Sequence, residues 1–73
     1  MSGLPRISGR EAAKAFGKLG FAYDRQSGSH MVYIRPEPFA MIVIPDHREL
    51  DAGTLRAIIR QAGISVDTFR QAL

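Results

Sequence analysis

His30-Met31-Val32-Tyr33-Ile34-Arg35, then Pro36-Glu37-Pro38, then Phe39-Ala40-Met41-Ile42-Val43-Ile44-Pro45 is the stretch that decides the fold. Its first six residues are rich in β-branched and aromatic side chains, which favour a pleated, half-buried strand. The two prolines around Glu37 lack N–H donors and have to leave the ladder. Phe39 to Ile44 is a nearly continuous apolar run that ends at Pro45, so it reads as a further strand. A connection this short makes the two strands antiparallel neighbours.

Working outward, Phe21 to Gln26 alternates larger and more polar residues and reads as an earlier strand, with Ser27-Gly28-Ser29 as the turn. Before it, Ser8-Gly9-Arg10-Glu11 has the form of a capping box. Ala12, Ala13, Ala15, Phe16 and Leu19 follow at helical spacing, with Arg10, Lys14 and Lys18 on another face and Gly20 as the stop. After the strands, Asp46 to Ala52 is a polar connection. Gly53-Thr54 opens a second amphipathic helix whose stripe is Leu55, Ile58 and Ile59, with Arg56 and Arg60 outside and Gly63 closing it. Ser65 caps a last short helix in which Val66, Phe69 and Leu73 are expected to pack back. The fold class is α+β: helix, three-stranded antiparallel sheet, helix, with a short C-terminal helix. Two amphipathic helices can cover one face of so small a sheet. The order is similar to that of the double-stranded RNA-binding domain, although fold alone does not give function.

The 73 residues allow one domain at most. A hydrophobic content of 45% suits a packed core, and no apolar run approaches the roughly 20 residues of a membrane helix. Met1 to Arg10 has no apolar core and no cleavage site, so no signal peptide is expected. The absence of cysteine excludes disulfides and thiolate metal sites and fits a reducing cytoplasm. A net charge of +3 and a pI near 10.0 favour polyanions.

Topology gathers the functional groups. If the first helix runs away from one end of the sheet and the strands shuttle between ends, one end collects its start, the Ser27–Ser29 turn, His30, His47 and the start of the second helix. Helix N-termini there offer unpaired N–H groups and partial positive charge to phosphate. Arg10, Lys14, Thr54 and Arg56 are candidates for RNA phosphate, as are Ser29 and Gly28, whose turn lets backbone approach a ligand. Histidine titrates near neutrality, and RNA offers a 2′-hydroxyl as nucleophile. His30 is therefore the candidate catalytic residue, with His47 as an accessory. Against this, a lone strand-initial histidine is more often structural than catalytic. His30 also shares parity with Val32 and Ile34, which are read as facing the helices, so only its place at the rim keeps it reachable. Met31, Tyr33 and Arg35 are read as the opposite face, either a partner surface or a thinly covered sheet face.

Two other constellations carry less. Asp46-His47 with Asp51 lacks ligand spacing for a metal, and no cofactor is expected. Ser29-His30 are neighbours on opposite faces of a strand, which argues against a nucleophile and its base.

At Leu4-Pro5 with Ser8-Gly9-Arg10-Glu11, Leu19-Gly20-Phe21, Gly28-Ser29-His30, Ile44-Pro45 with His47, Gly53-Thr54-Leu55 with Ile58 and Ile59, and Gln61-Ala62-Gly63-Ile64-Ser65 with Phe69, the chain resembles the HicA toxin family. The resemblance spans essentially the whole chain. It implies a single HicA-like RNA-binding and ribonuclease domain over residues 1–73, acting on messenger RNA, with a catalytic histidine in the Gly-Ser-His turn. It also implies inhibition by a HicB-type antitoxin. No membrane partner is expected, and the free chain is expected to be a cytoplasmic monomer. Ala40-Met41 departs from the polar turn common in the family, which bears on the loop before the last strand. The alternative of a different class is a module that binds structured RNA and cleaves nothing.

Overall fold

The computed structural model describes residues 3–73. Met1 and Ser2, where the signal-peptide reading begins, lie outside the described residues. The elements are α1 (Gly9–Lys18), β1 (Ala22–Ser27), β2 (His30–Pro36), β3 (Phe39–Pro45), α2 (Ala52–Ala62) and α3 (Val66–Gln71). The sheet order is β1-β2-β3, antiparallel throughout. This is the expected helix, three-stranded sheet, helix and short terminal helix.

Local chemistry accounts for the helix ends. The Ser8 hydroxyl accepts from the Glu11 N–H at 3.0 Å, and Glu11 Oε1 accepts from the Ser8 N–H at 2.8 Å, completing the capping box. α1 ends at Leu19 and Gly20 follows at φ +98°. Gly63 sits at φ +72° behind α2, a conformation that a side chain would oppose. Asp51, not Gly53, starts α2: its carboxylate accepts from the Thr54 N–H at 2.7 Å, and the helix begins at Ala52. Ser65 caps α3 through the Thr68 N–H.

The core lies between the helices and one face of the sheet. Phe16 is fully buried at its centre, 5.7 Å from the Phe21 ring and 4.9 Å from that of Phe69. Ile42, Ile44, Leu55, Ile58 and Ile59 close around them. Of the terminal residues, Ala72 is buried, whereas Leu73 stays 47% exposed and does not pack back as expected. Pro36 also departs from expectation by remaining in β2 as its last residue, opposite Phe39.

The register reverses one expectation. Met31 pairs with Ile44, Tyr33 with Ile42 and Arg35 with Ala40, so Met31, Tyr33 and Arg35 face the helices. They form no partner surface. Arg35 is held inside by the Phe21 ring at 4.8 Å and by the carbonyls of Ala62 at 3.1 Å and Pro38 at 2.8 Å. Val32 and Ile34 lie on the open face, opposite Val43 and Met41. Both faces of β2 and β3 are apolar, so alternation alone could not tell which one the helices cover; the register with Ile42 and Ile44 decides it.

Candidate RNA-cleavage site

The reversed parity removes the objection to His30. This residue begins β2 on the open face, opposite Pro45, and is exposed. Gly28, at φ +58°, makes the two-residue turn before it, with Ser27 directly across from His30. The Gln26 amide donates to the Gly28 carbonyl at 2.9 Å and stiffens that turn.

Three backbone bonds tie the end of β3 to the elements around it. The Asp46 N–H donates to the Ser29 carbonyl at 2.6 Å. The Gly9 N–H, at the first residue of α1, donates to the His47 carbonyl at 2.9 Å. The Leu50 N–H donates to the Ile7 carbonyl at 2.8 Å. The start of α1, the β1–β2 turn, His30 and the exposed His47 are therefore neighbours. The approach is close because residue 9 is glycine: a Cβ there would lie 1.8 Å from the Pro45 carbonyl oxygen.

Asp46 was not expected in this group. Its carboxylate accepts from Arg10 through Nε at 3.0 Å and Nη2 at 3.1 Å, a bidentate pair. The hydrogen bond from Arg10 holds the Asp46 carboxyl below its usual range, with further help from Gln26 and the charge of His47. The same hydrogen bond raises the Arg10 guanidinium, which also feels Tyr33. Arg10 is thus held at this end by a carboxylate partner. It stays 78% exposed, and Asp46 engages only two of its five N–H donors. No local sequence signal marks this pair, because its members are far apart in the chain and meet only when β3 returns to α1.

The other candidates stand apart. Lys14 lies one turn further along α1 and lines an open groove with Pro5, Ile7, Lys18 and Leu73. The Thr54 N–H is occupied by Asp51, so that donor is not open to phosphate. Arg56 is exposed on α2, and no hydrogen bond or ion pair among the described residues links it to the His30 end. No three His, Asp or Glu side chains come together in a metal-binding set among those residues. No helix there is long and apolar enough to cross a membrane.

The family model for the HicA toxin of bacterial toxin-antitoxin matches residues 9–64, from the first residue of α1 to just beyond Gly63. The chain belongs to the HicA toxin family. Membership makes it the toxin of a toxin–antitoxin pair, with an antitoxin as counterpart. The matched span holds both helices that cover the sheet, all three strands and both histidines, whereas α3 lies beyond it. No individual curated protein gives a significant match.

Proposed function

We propose that this HicA toxin is a metal-independent endoribonuclease that cuts messenger RNA through His30 and so blocks translation. A base removes the proton from a 2′-hydroxyl, and the oxygen attacks the adjacent phosphorus. The bond to the 5′-oxygen breaks, and that oxygen takes a proton from an acid. The products are a 2′,3′-cyclic phosphate and a 5′-hydroxyl end. His30 serves as one proton carrier and His47 as the accessory one. Arg10, Lys14 and Arg56 hold phosphate charge, with the Gly28-Ser29 turn at the edge of the RNA path.

The observation that carries this reading is the exposure of His30 at the rim of the open sheet face, with His47 on a neighbouring segment. A HicB-type antitoxin restrains the activity by covering this end; a basic toxin favours an acidic partner. Toxin, messenger RNA and antitoxin meet in the cytoplasm.

His30→Ala tests the reading. Purified wild type and variant are assayed on the same RNA, with circular dichroism as the fold control and a binding assay alongside. The expected outcome is a loss of cleavage of about 10²–10⁴-fold with binding retained. Cleavage at the wild-type rate would make His30 structural. Undiminished binding by a wild-type chain that cuts nothing would make the protein an RNA-binding module.

A further inference from the structure

The two helices leave one strand bare. All six residues of β1 are exposed, whereas β2 and β3 keep one face in the core. On the helix-side face of β1, Tyr23 lies opposite Tyr33 and Gln26 opposite Met31. The Tyr23 and Tyr33 rings meet edge to face, with centroids 5.8 Å apart. Such a contact occupies at most one face of either ring. Tyr33 is half-buried against the core and backs its neighbour, and Tyr23 stays 57% exposed.

Polar groups stand beside this ring. Arg10 and, more weakly, Gln26 hold the Asp46 carboxyl below its usual range. Besides Asp46, Tyr33 bears on the Arg10 guanidinium. Arg10, Gln26, Tyr33 and Tyr23 therefore adjoin one another along the bare side of β1. The acids nearby are already paired: Asp46 takes two of the five Arg10 donors, and Asp24 takes Arg25. The surface also borders the His30 end. Ser27, next to Gln26, lies opposite His30, and the Asp46 N–H donates to the Ser29 carbonyl. Strand rise puts Tyr23 about 10 Å beyond Gln26. His30 is on the open face and Tyr23 on the other, and the hairpin end between them carries only Ser27, Gly28 and Ser29, all small.

We propose that Tyr23 is a stacking platform for one base of single-stranded RNA, with Arg10 on the adjoining phosphate. The platform rests on the RNA reading above and adds to it a residue that selects unpaired strands. Chemistry picks this occupant. A free aromatic face accepts any base, a guanidinium with unused donors accepts a phosphate, and an RNA strand offers the two side by side in every nucleotide. The strand presents its cut bond at His30, crosses the small hairpin end and lays a neighbouring base on Tyr23. Duplex RNA keeps its bases stacked on one another and has none to give, so the platform favours unpaired stretches of messenger. A cross-strand pair serving the sheet alone would need neither a free outer ring face nor a cation beside it.

The probe is a short unpaired 2′-O-methyl RNA, which lacks the nucleophilic hydroxyl and stays intact whatever the cleavage chemistry. Tyr23→Ala is expected to bind it about 5–100-fold more weakly than the wild type, and Tyr23→Phe equally well. The salt slope of Tyr23→Ala should keep its wild-type value, because no phosphate contact is lost. Removing the probe's bases one at a time should reveal a position whose loss weakens the wild type and leaves Tyr23→Ala unaffected. The chain has no tryptophan, so Tyr23→Trp adds a single reporter. Its emission is expected to change with the intact probe and not with the probe that lacks that base. Tyr23→Leu keeps a side chain against Tyr33 without a flat ring, and it replaces the alanine variant if circular dichroism shows a disturbed sheet. Wild-type affinity without the ring, equal base-removal penalties in wild type and variant, or a lowered salt slope overturns the platform and leaves the RNA reading standing. A wild-type chain that binds no RNA overturns both.

Discussion

Gly9→Ala places a methyl group where α1 meets the end of β3. The added Cβ would stand 1.8 Å from the Pro45 carbonyl oxygen, 2.9 Å from the Pro45 carbonyl carbon and 3.3 Å from the Asp46 Cα. All three are backbone atoms, so no side chain can swing aside. Reaching even 3.0 Å requires the helix start and the strand end to part by more than 1 Å. That movement strains or breaks the bond from the Gly9 N–H to the His47 carbonyl, now 2.9 Å, and disturbs the Arg10–Asp46 pair beside it. Overpacking costs about 1–3 kcal/mol, and a lost buried-side hydrogen bond costs about 1 kcal/mol. Alanine returns up to about 1 kcal/mol of helix propensity. The net expectation is destabilisation by about 1–3 kcal/mol, a large part of the roughly 4–11 kcal/mol available to a domain of this length. The melting temperature should fall by roughly 5–20 °C. Gly17→Ala, in the same helix, is the control: a Cβ there meets nothing within 4 Å, so it should stabilise by up to about 1 kcal/mol. Thermal and urea unfolding followed by circular dichroism would measure both. If Gly9→Ala proves as stable as Gly17→Ala, the close contact is not a constraint and the rigidity argued for this end fails.

Three further outcomes are expected. Replacing the 2′-hydroxyl at the cut site by hydrogen should abolish cleavage while added chelator leaves it unchanged; survival of the deoxy substrate would rule out the 2′-oxygen as nucleophile. Charge reversal at Lys14 or Arg56 should lower the salt slope of RNA binding by about one unit each. Arg10→Glu should do so too, and an unchanged slope in all three variants would move the RNA surface elsewhere. Stability should also decline in acid. Asp46 and Asp51 titrate below the ordinary 3.8 in the folded chain, the first through Arg10 and the second through the Thr54 backbone N–H. The unfolded chain then takes up protons more readily, so their contribution is complete above that value and is lost as pH falls through the lower folded values. Asp51→Asn keeps a capping oxygen and removes one titration, so unfolding curves between neutral pH and pH 3 should flatten; an unaltered acid slope would contradict the assignment.

Much of the architecture was written locally in the chain. Ser8 with Glu11, Ser65 and the glycines behind α1 and α2 act through bonds within a few residues, so their meaning survives without a fold. The order of elements and the gathering of His30, His47 and the start of α1 at one end followed from short connections between antiparallel strands. What folding alone decided was orientation and long-range partnership. Val32 and Ile34 are as apolar as Met31 and Tyr33, so nothing in β2 itself says which pair meets the helices. The answer came from pairing with Ile42 and Ile44, and with it came the open-face position of His30. Asp46 and Arg10, like Arg35 and the Ala62 carbonyl, are joined only because distant segments pack together. Periodicity reports which residues share a face; only packing says which face is covered, because covering is a property of two elements at once.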